Sequence, residues 1–305
     1  VLSRTKWQQQ LESTPVDFIF VESAWNGNSG EWKYQLTGDS GPKPDFLALM
    51  KWSRDNGVPT AFWNKEDPPH FHDFLEAARL FDVVFTSDVN KVPDYVAELG
   101  HERISTLPFA AQPALHNPIR PRHGLHSRGV AFAGMYFAHK YPERRAQMDM
   151  LLGGAADAAV KDAFELDIFS RQLGGDPSYQ FPEPLSSHVV GSLTYSQMLT
   201  AYRSYKVFLN VNSVVDSPSM CARRLFEITA SGTPVVSSAS EAIENFFAND
   251  EVMVASTRAQ ATAQIRTLVA NEDLRDRVVH KAQRRIWSAH TYAHRAEAVV
   301  AAATP

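Results

Sequence analysis

A carboxylate set behind an arginine pair is the first place where this sequence could do chemistry. Between Ser217 and Val236 the chain reads as a polar loop entering a helix, a stop at Gly232 and a buried strand. Glu227 falls inside that helix, expected over 220–230. A carboxylate accepts two hydroxyl hydrogen bonds at once, as a ribose diol would offer them. The start of the helix, near Ser219 and Met220, is expected to turn free N–H groups toward phosphate, with Arg223 and Arg224 adding charge. The competing reading is a surface glutamate paired with an arginine three or four residues earlier.

Two further groups follow strands nearer the N-terminus. The run Asn64-Lys65-Glu66-Asp67-Pro68-Pro69-His70-Phe71-His72 is a proline-held loop at a strand's carboxyl end. Glu66, Asp67 or His70 could there deprotonate or position an acceptor hydroxyl. Asp67 could instead cap the next helix. His70 and His72 have metal-pair spacing, but no Cys, Asp or Glu closes a ligand set, so no metal is expected. In Glu22-Ser23-Ala24-Trp25-Asn26-Gly27-Asn28-Ser29-Gly30-Glu31-Trp32, the glycines admit close approach of a ligand and the tryptophans offer faces on which sugars stack. The alternative is a tight turn with two core tryptophans.

Other chemistries lack their residues. No Rossmann dinucleotide fingerprint, P-loop or Gly-x-Ser-x-Gly elbow is present. His290 and His294 stand one helical turn apart without the glutamate of a zinc-protease motif. Cys221 is the single cysteine, which excludes a disulfide framework and a Cys-rich zinc site and suits a reducing compartment. The 30 Lys and Arg against 34 Asp and Glu give a net charge of −4, so no basic field for nucleic acid exists. No apolar run approaches the ~20 residues of a membrane span, and the start does not read as a signal peptide. A soluble, cytoplasmic protein of two domains is expected for 305 residues.

The elements that must position these groups alternate. Strands are expected at 17–21, 58–63, 82–86 and 104–107, with helices at 45–54, 71–80 and 93–99. Prolines 108, 113, 118 and 121 then break the pattern, and 108–124 reads as an interdomain linker. Alternation resumes with strands at 129–133, 166–169, 207–211 and 234–236 and helices at 143–152, 195–202 and 220–230; 257–303 reads as almost wholly helical. This is the pattern of two doubly wound α/β domains, whose ligands bind beyond the carboxyl ends of the strands.

The 217–236 segment resembles the nucleotide-sugar signature of group 1 glycosyltransferases of the GT-B fold. The chain more widely resembles the spore-maturation-like (CgeB-like) branch. The matching pieces are Phe18-Ile19-Phe20-Val21-Glu22-Ser23-Ala24-Trp25, Phe62-Trp63-Asn64-Lys65-Glu66-Asp67-Pro68, Val84-Phe85-Thr86-Ser87-Asp88, Phe132-Ala133-Gly134-Met135-Tyr136 and Arg223-Arg224-Leu225-Phe226-Glu227, in the order expected. The resemblance implies two Rossmann-like parallel-sheet domains facing across a cleft, with a helical C-terminal tail. Their bounds would be 1–117 for the acceptor side, 118–286 for the nucleotide sugar and 287–305 for a helix crossing back. It implies transfer of a sugar from a nucleoside diphosphate, with UDP-sugar favoured, to a hydroxyl acceptor, in cell-surface glycan synthesis. No cofactor or metal is implied, and peripheral membrane contact stays open.

Carried over by position, Glu227 would hold the ribose. The family's second glutamate is replaced by Ser219, and its phosphate-binding arginine by Met135. Lys140, Arg144, Arg223 or Arg224 would then neutralise the diphosphate, beside Gly134 and Tyr136. Glu22, Trp25 and Asn26 would belong to the acceptor side. Retention of configuration is the group 1 expectation, with inversion left open by Ser219 and the acidic loop. CgeB-like chains open with a further strand and helix, for which this sequence has no room. A nucleotide-sugar epimerase and a non-catalytic nucleotide- or sugar-binding module are the other readings.

Overall fold

The computed structural model describes residues 1–38, 41–119 and 121–303. They form two units: Val1–Pro108 with Ser217–Met220 and Ala293–Pro305, and Phe109–Asp216 with Cys221–Tyr292.

In the first unit the elements run α1 (Trp7–Ser13), β1 (Ile19–Glu22), β2 (Asn26–Gly27), β3 (Trp32–Lys33), α2 (Pro44–Asp55), β4 (Thr60–Asn64), α3 (Phe71–Ala78), β5 (Val83–Thr86), α4 (Val92–Leu99) and β6 (Ile104–Thr106). Strands β1, β4, β5 and β6 lie in that order, all parallel. Every residue of β4 and β5 is buried. Cover on both faces explains why these strands read as continuous apolar runs. Helix α2 opens on Pro44 and buries Phe46, Leu49, Met50 and Ser53 at three- and four-residue spacing. Helix α4 stops at Gly100, whose φ of 73° is the left-handed turn that glycine adopts at little cost. Three elements of this unit are additional to the sequence expectation. Helix α1 buries only Trp7 and Leu11, with Trp7 edge-on to Trp52 at 6.1 Å, and its glutamines hide that one-sided pattern. The pair β2–β3 is a two-residue antiparallel ladder inside the Trp25–Trp32 loop.

The second unit contains β7 (Arg128–Ala133), α5 (Pro142–Asp162), β8 (Leu166–Phe169), β9 (Val189–Gly191), α6 (Tyr195–Ser204), β10 (Tyr205–Asn210), α7 (Arg223–Ala230), β11 (Val235–Ser238), α8 (Glu241–Phe246), β12 (Met253–Ala255), α9 (Arg258–Ala270) and α10 (Glu272–Ala289). The last helix, α11, spans Tyr292–Ala303. The six parallel strands of the second unit are ordered β12-β11-β10-β7-β8-β9. From β7 the chain moves to one side through β8 and β9, then returns to the other at β10. The switch in strand order therefore lies between β7 and β10, the position at which ligands bind in doubly wound sheets. Gly134 follows β7, and Asn212 and Ser213 follow β10.

Three local expectations change. Helix α5 continues ten residues past Leu152, because Gly153 and Gly154 are packing positions and not a stop. A Cβ on Gly154 would stand 2.9 Å from the Ala261 Cβ and 3.0 Å from the Arg258 carbonyl, so the bare glycine lets α9 lie against α5. Helix α7 begins at Arg223, not at Met220, because the Ser217 hydroxyl accepts the N–H groups of Ser219 (3.3 Å) and Met220 (2.9 Å) and ties them into a turn. The proline-rich stretch 109–124 belongs to the second unit and is held there by side chains. Arg203 donates to the carbonyls of Asn117 (2.6 Å) and Leu115 (2.7 Å), and Ala111 bridges to Thr291.

Candidate functional site

Glu227 sits on α7 in the second unit, 2% exposed and surrounded by donors. Arg223, one helical turn earlier, places Nε 3.0 Å from Glu227 Oε1. Tyr195 donates its hydroxyl to the same oxygen at 3.1 Å, and Tyr202 donates to Oε2 at 3.2 Å. The two tyrosines are seven residues apart on α6, two turns of one helix face. His116 completes the group, with Nε2 2.8 Å from the Tyr195 hydroxyl and 3.7 Å from Glu227 Oε1. Its Nδ1 accepts the Gln112 N–H at 2.9 Å, which leaves Nε2 as the protonated nitrogen of the neutral ring. Burial presses the His116 imidazole below its ordinary range against the pull of Glu227. Burial and the Glu227 charge push the Tyr195 phenol up to about 12. The hydrogen bonds therefore run one way: Gln112 to His116, to Tyr195, to Glu227.

The arginine pair divides. Arg223 turns to Glu227, whereas Arg224 donates Nη1 to the Ala133 carbonyl at 2.6 Å, at the carboxyl end of β7. Arg144, in the first turn of α5, reaches the same place, since a Cβ on Gly134 would lie 3.4 Å from its Nη2. Arg144 also donates to Ser213 Oγ at 3.2 Å and lies over the Phe137 ring, while its Nε is buried without a partner. Burial, and then the charge of Arg224, press its guanidinium down to about 10. Among the described residues neither Arg144 nor Arg224 has an acidic partner. Lys140 lies over Phe137 (5.2 Å) and Tyr141 (5.1 Å). Tyr136 is buried in the core and tilted against Phe181 at 5.3 Å.

The other candidates gather at the carboxyl ends of β1, β4 and β5 in the first unit. Glu22 pairs with Lys65 Nζ at 2.6 Å, and the Lys65 N–H donates to Ser23 Oγ. Trp25 is half-buried and edge-on to His70 (5.2 Å) and Phe74 (5.1 Å). His70 Nδ1 is 2.7 Å from Asp73 Oδ2. Asn26 is exposed on β2, and Glu66 is half-buried with its N–H on Asn64 Oδ1.

Asp67 turns inward. It is fully buried and accepts from Thr86 Oγ1 (2.6 Å), Asn64 Nδ2 (2.7 Å) and Tyr95 OH (3.1 Å). Burial pushes its carboxyl up to about 7 against the pull of these donors. It does not cap α3, where His70 occupies the cap position without a side-chain bond to the helix backbone. Ser219 also belongs to this unit, donating to the Ser87 carbonyl at 3.0 Å and accepting the Val89 N–H at 2.8 Å. The expected phosphate-facing N–H groups of Ser219 and Met220 are thus already taken by Ser217, which itself donates to Asp88 Oδ1 at 2.6 Å.

The structure brings Glu227 together with Arg223, and Arg144 together with Arg224 and Gly134. It adds His116, Tyr195 and Tyr202, which the sequence reading missed. His116 lies in the stretch taken for a linker; the seven-residue spacing of the tyrosines was the available signal. Among the described residues no group of three His, Cys, Asp or Glu side chains could hold a metal ion.

Residues 154–301 match the model of a family described as glycosyl transferase-like. TarM superposes with a TM-score of 0.58 at 14% identity, over 86% of this chain and 59% of that one. HepE from Anabaena, solved in complex with UDP and glucose, superposes at 0.56 and 12% identity, over 84% of this chain and 74% of its own. A UDP-forming trehalose-phosphate synthase from Burkholderia xenovorans superposes at 0.57 and 13% identity, over 98% and 77%. The fold is GT-B. This chain spans about three fifths of the length of TarM. A comparison with curated protein sequences gives no match. In this GT-B fold no helix among the described residues is long and apolar enough to cross a membrane.

Proposed function

We propose that this chain transfers a glycosyl unit from a nucleoside diphosphate sugar to a hydroxyl acceptor. The observation that carries the reading is the pair Arg144 and Arg224, two guanidinium groups without an acidic partner among the described residues, meeting at Ala133–Gly134 beside the switch in strand order. When the bond from sugar to diphosphate breaks, negative charge builds on the leaving oxygen. Cations already in place stabilise that charge more than the ground state, and so lower the barrier. The two arginines supply it without a metal.

Glu227, on the same unit, is the group for the ribose. UDP is the favoured carrier, supported by the UDP in the HepE complex and the UDP-forming synthase. A hexosyl unit is the group moved. On the first unit, Trp25 offers the acceptor an apolar face and Glu66 a half-buried carboxylate, while buried Asp67 holds the loop through Thr86 and Tyr95. The resemblance to the spore-maturation-like branch supports a cell-surface glycan as acceptor and a cytoplasmic site of action.

The test is a thermal-shift panel of UDP, GDP, dTDP, CDP and ADP, repeated with Glu227→Ala and in EDTA. A ligand of the folded state alone raises its stability by mass action. One diphosphate is expected to raise the melting temperature, in EDTA as without it, and Glu227→Ala to abolish the rise. If no diphosphate shifts the wild-type protein, the donor-site reading is overturned.

A further inference from the structure

Counting the hydrogen-bonding capacity around Glu227 shows what its outer surface can still offer. A carboxylate oxygen has two lone-pair sites. Glu227 Oε1 takes the Tyr195 hydroxyl and lies 3.0 Å from Arg223 Nε in an ion pair, and Oε2 takes Tyr202, so the carboxylate already holds three donors close by. The carboxylate is also 2% exposed, whereas Tyr195, bonded to it, is 46% exposed and carries the Arg223 guanidinium over its ring. A ligand diol arriving at this site therefore meets Tyr195 before the buried Glu227.

The state of the Tyr195 oxygen is set from behind. The Gln112 N–H occupies His116 Nδ1, His116 Nε2–H points at Tyr195, and the Tyr195 proton is committed to Glu227. A phenol oxygen has two lone-pair sites, and His116 fills one. What Tyr195 presents outward is one lone pair, with no proton to give. That is an acceptor for a hydroxyl hydrogen, made more electron-rich because its own proton is bound to a carboxylate.

We propose that Tyr195 is a ligand-contacting residue of this site, accepting one hydroxyl of a nucleoside diphosphate's ribose while Glu227 Oε2 accepts the other. The inference rests on the donor-site reading above and adds to it a second, specificity-determining contact that favours ribose over deoxyribose. His116 acts through Tyr195 and is a positioning residue.

The experiment is a titration-calorimetry cycle on the full chain, using UDP, 2′-deoxy-UDP and 3′-deoxy-UDP against wild type and Tyr195→Phe. Phenylalanine keeps the half-exposed ring and removes only the oxygen. In wild type, removing the hydroxyl that meets Tyr195 is expected to weaken binding by about tenfold, the worth of one hydrogen bond. In Tyr195→Phe, UDP is expected to weaken by a similar factor, and removal of that same hydroxyl to cost nothing further. A merely structural tyrosine would weaken UDP and both deoxy ligands alike, leaving the wild-type penalties intact, and that additivity overturns the proposal. Unchanged UDP affinity in Tyr195→Phe overturns it as well. Absence of binding by wild type to all three ligands, together with a failed diphosphate panel, overturns the donor-site reading and this inference with it. UDP binding that is lost in Glu227→Ala but additive in the cycle overturns the Tyr195 contact alone.

Discussion

Replacing Arg144 by methionine should make the empty protein more stable and the nucleotide complex weaker. The Arg144 guanidinium is pressed well below the ordinary arginine range, to about 10, by burial and by Arg224. A difference of that size corresponds to about 3 kcal/mol by which the fold disfavours its charged form. Relaxation around a partly buried charge lowers this, and the variant also gives up the Ser213 hydrogen bond and the Phe137 ring contact. A net gain of roughly 1 kcal/mol remains, or about 2–4 °C in melting temperature for a unit of this size. The same change removes a charge-assisted contact to the diphosphate, worth about 1.5–3 kcal/mol, so Kd for UDP should rise about 10- to 100-fold. Scanning calorimetry of wild type and Arg144→Met, with and without UDP, reads both numbers from one set of samples. The opposite signs are the content of the prediction. A variant that melts lower and binds UDP as well as wild type refutes the idea that Arg144 is held in wait for an anion.

Two other groups give pH-dependent expectations. The Asp67 carboxyl stands at about 7 in the fold against an ordinary 3.8, so its contribution to stability is fully present below 3.8 and lost as the pH rises toward 7. Urea unfolding between pH 4 and 7 should show wild type losing up to about 1.4 kcal/mol per pH unit more than Asp67→Asn; parallel profiles would remove Asp67 as the cause. His116 is pressed below 6.5, so it is neutral at pH 7 and its protonation costs stability only as the pH falls beneath the ordinary histidine range. Long-range proton–nitrogen NMR should find Nε2 protonated and a midpoint under 6.5, whereas an Nδ1-protonated ring contradicts the Gln112 contact.

The alternation of strands and helices was legible because it depends on local patterns. Strands β4 and β5 are buried on both faces, so their residue types carry the signal without knowledge of their neighbours. Helix α2 shows its start in Pro44 and its inner face in Phe46, Leu49 and Met50. The role of the glycine pair in α5 is not legible locally, for the opposite reason. Its meaning depends on α9, more than a hundred residues later, and only contact turns a helix-weakening pair into a packing surface. The proline-rich stretch is legible only in part: its prolines exclude regular elements and the units divide at its start, yet Arg203 and Tyr195, on α6, fasten it through carbonyls and His116.

What the sequence determined alone was the inventory: parallel α/β units, a glutamate one helical turn behind an arginine, and polar residues after the strands. These follow from periodicity and from residues close along the chain. The tertiary structure decided which of them share a site. It sent Arg223 and Arg224 in different directions, buried Asp67 beneath Thr86 and Tyr95, and backed Glu227 with His116 from over a hundred residues away. Hydrogen bonding and charge act over a few ångströms of space, and distance along the chain does not report that separation.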